Sequence, residues 1–214
     1  KAGARYEHTD ITASFLKKEG QNTVIPPYGV LVPSFNMSKT FKSGTWRFSY
    51  NRRIQRPGIE NLNPNVNATN PLNISTGNPN LAPEYTNNYE ISYSKFVKQT
   101  YISTSFFVRN TTGAISRIRQ VRGDTVKTTS QNIGNEDAYG MNINLNVNLS
   151  NKIMLGGGGD LSYMVLANNV ADPLLAAKNE GLQSNFRIFG NYTIGNGWGA
   201  QIFSFYRVNQ IQLQ

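Results

Sequence analysis

The stretch Met141-Asn142-Ile143-Asn144-Leu145-Asn146-Val147-Asn148-Leu149 decides the fold class of this chain. Every odd-numbered residue in it is apolar, and every even-numbered residue is asparagine. Because successive side chains of a β-strand point to opposite faces, the stretch predicts a strand with one apolar face and one polar, uncharged face. Helical spacing would scatter the same residues all round a cylinder.

The same period-two alternation recurs along the chain, for example in residues 45–55, 88–94 and 185–194. It predicts an all-β, antiparallel fold with no assigned helix, although residues 172–180 are compatible with a helical turn inside a loop. The nine predicted strands cover residues 2–17, 28–42, 44–56, 85–98, 100–121, 124–149, 152–167, 181–195 and 197–209.

The connections between the predicted strands alternate in length. Tight turns at 43–44, 98–99, 150–151 and 195–197 fall at one end of the sheet. The other end carries the long connections 18–27, 57–84 and 168–180, together with the hairpin tip 122–124. Transmembrane β-barrels combine short periplasmic turns with long extracellular loops. The sixth predicted strand is polar on both faces in its first half, so we expect that half to stand in water beyond an apolar band.

Composition excludes several functional classes. The chain has 214 residues, a net charge of +9, no Cys and one His, so disulfides, thiolate zinc sites and His-based metal clusters are excluded. No stretch approaches the ~18 consecutive apolar residues of a spanning helix. Gly156–Gly159 followed by Asp160 lacks the helix and the Lys-Ser/Thr pair of a phosphate-binding loop. We therefore predict no enzyme, no catalytic residue, no metal and no cofactor.

Alternation by itself fits two folds, a membrane barrel with its apolar face outward and a soluble sandwich with its apolar face inward. Two features favour the barrel. The polar faces carry Asn, Ser, Thr and Gly and few of the Lys and Glu residues usual on soluble surfaces. Aromatic residues that suit interfacial girdles lie near the strand ends or on the apolar face. They are Tyr6, Trp46, Tyr50, Tyr93, Tyr101, Tyr163, Tyr192, Trp198 and Tyr206.

In the barrel interpretation, each strand divides its residues between lipid and lumen. The predicted lipid-facing residues are Ile143, Leu145, Val147 and Leu149. The predicted lumen-facing residues are Arg47, Arg53, Glu90, Asn142, Asn144, Asn146, Asn148 and Arg187. We further expect Arg53 to pair with Glu90 on the next strand.

Several motifs resemble the C-terminal barrel half of TonB-dependent outer-membrane receptors, in the β-barrel family abundant in Bacteroidota. They are Arg52–Pro57, Asn61-Leu62-Asn63-Pro64, Gly77-Asn78-Pro79-Asn80-Leu81-Ala82-Pro83-Glu84 followed by Tyr89-Glu90, Gly3-Ala4-Arg5-Tyr6-Glu7, and Asn132-Ile133-Gly134 followed by Ala138-Tyr139-Gly140. The motif GNPNLxPE before a strand with a Tyr-Glu pair is the most specific of these. The resemblance covers nearly the whole chain.

The resemblance implies a bacterial outer-membrane barrel of about 22 strands that encloses an N-terminal plug. It also implies active uptake of a scarce small nutrient, driven through TonB. Nine strands cannot close so wide a barrel, so we expect residues 1–214 to be a single partial barrel domain. The implied partners are outer-membrane lipid and lipopolysaccharide, TonB through an N-terminal region missing from this chain, and an unidentified nutrient.

The candidate ligand contacts lie in the long connection 57–84, which five prolines stiffen and many amides line. The candidates are Asn61, Asn63, Asn65, Asn70, Asn73 and Asn78. A basic group at the same end of the sheet could meet lipopolysaccharide phosphates or an anionic ligand, or form a solvated rim. It comprises Lys17, Lys18, Arg117, Arg119 and Arg122.

Two alternatives remain open at this point: a soluble all-β module that binds glycans or nucleic acid, and a small stand-alone structural barrel of the outer membrane. Nucleic acid is not expected as a partner. The aromatic and arginine residues of the stretch 46–56 fall mostly on opposite faces of the predicted strand, whereas base stacking needs them together.

Overall fold

A single antiparallel sheet makes up most of the computed structural model, which describes residues 1–13, 23–168, 177–195 and 197–209. The elements in chain order are β1 (Ala2–Ala13), β2 (Thr23–Phe41), β3 (Gly44–Gln55), α1 (Ile59–Leu62), β4 (Asn67–Asn70), β5 (Asn73–Thr76), β6 (Glu84–Val97), β7 (Thr100–Arg122), β8 (Thr125–Asn148), β9 (Ile153–Asn168), β10 (Lys178–Gly195) and β11 (Trp198–Val208). Among these described residues, no helix has the length and apolar character needed to cross a membrane.

The nine long strands lie in the order β1-β2-β3-β6-β7-β8-β9-β10-β11, each antiparallel to the next. The predicted antiparallel meander is therefore confirmed. Some boundaries differ: β2 begins at Thr23, earlier than predicted, and β10 begins at Lys178, so residues 178–180 are strand and not a helical turn. Residues 14–17, predicted as strand, and residues 172–176 lie outside the described residues.

The register places the apolar and polar residues of neighbouring strands in common rows. Asn142 lies opposite Ser105 on β7 and Asp160 on β9, while Ile143 lies opposite Thr104 and Gly159. We call the side that carries Asn142, Asn144, Asn146 and Asn148 the asparagine face, and the side that carries Ile143, Leu145 and Val147 the apolar face.

Within the part of the chain that the structure describes, no second layer covers the apolar face. Ile143, Leu145 and Ile188 are 47%, 43% and 65% exposed, and no large side chain of the described residues is fully buried. A soluble β-sandwich buries its apolar face against a second sheet, and the described residues form one sheet only. So large an exposed apolar surface needs an apolar environment outside the chain.

The hairpin of β7 and β8 extends beyond both neighbouring strands, as the polar half of the sixth predicted strand suggested. Pairing of β7 with β6 ends at Thr112, and pairing of β8 with β9 ends at Gly134. Two register shifts, between Thr112 and Ala114 and between Ala114 and Ile115, offset each other, so the two strands regain their original register beyond Ile115. Gly113 at this irregularity has φ +67°, a backbone conformation that favours glycine.

Glycines of β8 and β9 make room for phenylalanine rings on the asparagine face. A Cβ on Gly140 would lie 2.5 Å from Cζ of Phe107, and a Cβ on Gly156 would overlap the ring of Phe189. Large aromatic side chains that pack over glycine are a known way to stabilise a strand at such positions. The glycine run therefore has a structural role in the sheet, in agreement with its assignment to a strand.

Candidate functional site

The connection 56–84 is a folded segment, which we call the strap. It contains α1 and the short hairpin of β4 and β5, although no helix was predicted there. Strand β5 pairs in parallel with β8, from Asn73 opposite Val126 to Thr76 opposite Thr129, beyond the point where β9 ends. The strap leaves β3 and returns to β6, which lie on the other side of β7. It therefore crosses β7 and β8 to reach the far edge of β8.

A small apolar cluster holds the base of the strap. Leu62 of α1 and Leu81 are only 5% and 4% exposed, and they pack against Ile11 of β1 and Ile115 of β7. These two strands are separated by β2, β3 and β6 in the sheet. The cluster thus ties distant strands together through the strap, by burial of apolar surface.

The side chain of Asn132, on β8, forms hydrogen bonds with the backbone of the strap through both its oxygen and its nitrogen. Its Oδ1 accepts a hydrogen bond from the backbone N–H of Ala82 at 2.7 Å, and its Nδ2 donates to the carbonyls of Ala82 at 2.7 Å and Gly113 at 2.8 Å. Glu84 adds a carboxylate oxygen that accepts from the N–H of Ile115 at 2.9 Å. The motifs around Ala82 and Asn132 therefore contact each other in the fold.

Three of the predicted ligand asparagines have structural roles, two in holding the strap to β8 and one within the strap itself. Asn78 donates from Nδ2 to the carbonyl of Ser130 at 3.2 Å, and the hydroxyl of Ser130 donates to Oδ1 of Asn61 at 3.2 Å. The carbonyl of Asn63 accepts from the N–H of Gly77 at 2.9 Å. A Cβ on Gly77 would lie 2.5 Å from that same carbonyl oxygen, so this close backbone approach requires glycine.

An ion pair joins the start of the strap to β1. Arg56 donates to the carboxylate of Glu7 at 2.6 Å and to Oγ1 of Thr9 at 3.0 Å. The hydrogen bond that Arg56 donates to Glu7 raises the pKa of the Arg56 guanidinium, which therefore stays charged. Because β2 lies between β1 and β3, this contact spans two strand spacings and anchors the strap at its first residue.

The strap and the hairpin of β7 and β8 together form a concave surface, which we call the cup. Its central row runs across four strands, from Arg119 to Thr128, Ser75 and Asn67. The next row joins Val121, Val126, Asn73 and Asn70 in the same way. The cup encloses a cavity of about 670 Å³ lined by Asn67, Thr69, Asn70, Asn73, Ser75, Arg117, Arg119, Val121, Val126 and Thr128.

The cup brings two of the predicted ligand asparagines, Asn70 and Asn73, beside two members of the predicted basic group, Arg117 and Arg119. Asn65 is exposed and does not line the cup. Arg122 lies one residue past the cavity, and Lys17 and Lys18 lie outside the described residues. Sequence reasoning missed Asn67, Thr69 and Ser75, whose place depends on the pairing of β4, β5 and β8.

The cup carries positive charge without a carboxylate in its lining. The ion pairs within the described ranges are Arg5–Glu7, Arg56–Glu7 and Lys178–Glu180, none of which involves Arg117 or Arg119. Arg117 also lines an adjoining cavity of about 400 Å³, which Glu60 and Glu84 border. Arg119, in contrast, lines the cup and does not line this adjoining cavity.

Below the strap, the asparagine face carries hydrogen-bonded polar rows. Asn142 donates to Ser105 at 3.3 Å, and Asn185 links Asp160 at 2.5 Å to Arg207 at 3.0 Å in the same row. Arg187 donates to Oδ1 of Asn144 in the next row. Sequence reasoning missed Asp160, Asn185 and Arg207 because only the register between strands reveals their alignment.

The expected pair of Arg53 and Glu90 is wrong. Arg53 lies opposite Thr86 and Glu90 lies opposite Ser49, so the two charges stand four residues apart along the strands. Of the other residues predicted on this side, Arg47 lies opposite Ser38 and Ser92, Asn146 lies opposite Gly156, and Asn148 lies opposite Met154. The aromatics of β3 form their contacts on the apolar face, with Trp46 and Tyr93 rings 4.9 Å apart.

The described residues contain no cluster of three or more His, Asp or Glu side chains arranged to hold a metal ion. The polar chemistry of the site is therefore carried by amides, hydroxyls and guanidiniums. Such groups form hydrogen bonds and ion pairs with a ligand.

The model of the outer membrane protein beta-barrel family matches residues 1–214, which is the whole chain. The chain belongs to this family. The family predicted from the sequence motifs is thereby confirmed, and with it the barrel interpretation and the location in the outer membrane. The sheet is open within the described residues, because β1 and β11 are not paired with each other.

Solved barrels share the fold of this family member at low sequence identity. The siderophore receptor PirA from Pseudomonas aeruginosa superposes with a TM-score of 0.56 at 16% identity, over 81% of this chain and 38% of its own. The FrpB iron transporter from Neisseria meningitidis (F3-3 variant) gives 0.52 at 13% identity, over 90% and 35%. The copper transporter OprC gives 0.51 at 12% identity, over 95% and 36%.

This barrel chain thus spans between a third and two fifths of the solved proteins that it resembles. These neighbours are a receptor and two transporters. At these identities the likeness shows the fold alone. Among curated proteins, none matches the chain by sequence.

Proposed function

We propose that this chain forms part of the wall of a TonB-dependent receptor, which takes up a small nutrient across the outer membrane. The observation that carries the proposal is the superposition of its nine-strand sheet on barrels of a siderophore receptor, an iron transporter and a copper transporter. The plug, the TonB-contacting segment and the remaining strands of the barrel belong to the rest of that receptor.

In this proposal the apolar face meets lipid and the asparagine face lines the lumen. A bilayer leaves no water to solvate unpaired backbone groups, so strands cross it only in a closed barrel with the apolar side outward. Ile143, Leu145, Val147 and Leu149 then contact lipid, and the polar rows that include Asn142, Asn144 and Arg187 contact water or the plug. The tight turns face the periplasm and the strap faces the cell exterior.

The cup is the proposed site of contact with the nutrient. It lies at the end of the sheet that carries the long connections, and its lining of amides, hydroxyls and guanidiniums offers many hydrogen-bond donors. Because the strap that forms one wall is tied down by Asn132, Arg56 and the Leu62–Leu81 cluster, the cup is preformed and costs little ordering on binding. Asn67, Asn70, Asn73, Arg117 and Arg119 are the proposed contacts.

The test of uptake uses the full-length receptor in cells. Deleting its gene should abolish growth on at least one scarce nutrient in a panel of iron sources, copper, cobalamin and oligosaccharides. Deleting TonB should cause the same loss of growth. The proposal is contradicted if growth on every nutrient of the panel is unaffected by deletion of the receptor and by deletion of TonB.

The test of the cup replaces residues 67–75 of the full-length receptor by a short Gly-Ser linker. This change removes the hairpin of β4 and β5 but keeps Asn61, Leu62 and residues 77–84, which hold the strap. A shorter loop adds little closure cost, so a heat-modifiable, protease-resistant barrel should form. Growth on the nutrient should fall, whereas the matched substitution Asn65→Ala outside the cup should leave growth unchanged. Full growth of the linker variant would exclude the cup as the capture site.

A further inference from the structure

We infer that the cup recognises an oxyanion of its ligand, a carboxylate or a phosphate. This inference rests on the proposed role of the cup in nutrient capture and names the chemistry of the group that is captured there. It follows from the charge of one wall and from the unused hydrogen-bonding groups of the other.

The wall formed by β7 contributes two arginines. Arg117 and Arg119 alternate along β7 on the side of the strand that lines the cavity, opposite Ser130 and Thr128. Neither has an ion pair within the described part of the chain, and no carboxylate lines the cavity. The planar guanidinium is the side chain best matched to carboxylate and phosphate, since it forms two parallel hydrogen bonds to them.

The wall formed by the strap contributes donors, because two of its amide oxygens already accept hydrogen bonds within the strap. Oδ1 of Asn67 accepts from the N–H of Thr69 at 3.2 Å and from its hydroxyl at 2.8 Å. Oδ1 of Asn70 accepts from the N–H of Leu72 at 3.0 Å. These local contacts use the amide oxygens of Asn67 and Asn70 and leave their side-chain N–H groups for a ligand. Donors on both walls favour a ligand group that only accepts hydrogen bonds, as an ionised carboxylate or phosphate does.

The geometry also favours a soluble ligand over lipopolysaccharide as the source of the anion. The cup lies on the asparagine face, because its Arg117 also lines the cavity that Glu84 borders. Alternation along β6 places Glu84 on the side of Glu90 and Gly140, opposite to Ile143 and Leu145. A lipid that contacts the apolar face would have to cross the strands to present its phosphates there. The anion is therefore one carried by a free molecule in the lumen.

The experiment measures binding of matched probes to the full-length receptor in detergent by saturation-transfer NMR. The probes are glucose 6-phosphate, citrate and glucose, so that the first and third differ only by a phosphate. Both anions should bind more tightly than glucose, and added salt should weaken them. Arg119→Gln should lower the affinity for both anions at least about tenfold, because it removes a charge-assisted pair. Arg119→Lys should retain part of the affinity, and Arg122→Gln, just outside the cavity, should retain all of it.

Three outcomes would overturn the inference: glucose binding as tightly as glucose 6-phosphate, unchanged anion affinity in Arg119→Gln, or an equal loss in Arg122→Gln. A parallel measurement with vesicles that contain lipopolysaccharide tests the source, and binding of vesicles that depends on Arg119 would overturn the assignment to a soluble ligand. Receptor-dependent growth is scored separately. If growth needs the receptor and TonB while no anion binds, the anion inference fails alone; if growth needs neither, the proposed function fails.

Discussion

Asn132 should control the stability of the strap, and Asn132→Ala tests this directly. The substitution removes three hydrogen bonds, two to Ala82 and one to Gly113. The two to Ala82 hold the strap and are worth about 1 kcal/mol net each, whereas the one to Gly113 joins β8 to β7. We expect the free energy of strap opening to fall by about 2 kcal/mol, which raises the open fraction about thirtyfold. The barrel should remain folded, because strand pairing elsewhere is unchanged.

Hydrogen exchange followed by mass spectrometry, on the full-length protein in nanodiscs, measures this opening. Peptides that cover 59–84 should exchange faster in Asn132→Ala, while peptides from β3 and β10 should not change. Asn132→Asp replaces the donor by a carboxylate oxygen that faces the carbonyls of Ala82 and Gly113, so it should speed exchange at least as much as Asn132→Ala does. Asn65→Ala is the control, since the Asn65 side chain is exposed on the same segment. If exchange of 77–84 in Asn132→Ala equals that of the unaltered protein, Asn132 does not hold the strap.

Three further predictions concern the two faces of the sheet, the two ends of the sheet and the strap. Leu145→Arg should destabilise the barrel by about 2–4 kcal/mol if Leu145 lies near the bilayer midplane, whereas Asn144→Arg should destabilise it far less. Urea titration in lipid vesicles measures both changes. Equal losses of stability would contradict the proposed lipid face. A cysteine at Asp124 should react with an impermeant maleimide on intact cells, and one at Asn151 only after the outer membrane is permeabilised; the reverse pattern would invert the orientation. Gly77→Ala should speed exchange of the strap as Asn132→Ala does, because its Cβ would lie 2.5 Å from the Asn63 carbonyl oxygen; normal exchange would show that the backbone yields there.

The strands and their two faces could be predicted from the sequence because they depend on local properties. Side chains alternate across a strand whatever lies beside it, so the stretch Met141–Leu149 carries its own apolar and polar faces. The alternation of short and long connections is equally local, and it separated the two ends of the sheet. The motifs around Ala82 and Asn132 identified the family for the same reason, because each is a short run of consecutive residues.

Pairing between distant segments was decided only by the tertiary structure. Ala82 and Asn132 are 50 residues apart, and nothing in either motif states that they meet. The register of β3 and β6 places Arg53 opposite Thr86, which is why the expected pair with Glu90 does not form. The cup forms because β5 pairs with the free edge of β8, which brings Ser75 and Asn67 into the row of Arg119. Register and edge pairing depend on which strands are neighbours in space, and that is a property of the whole sheet.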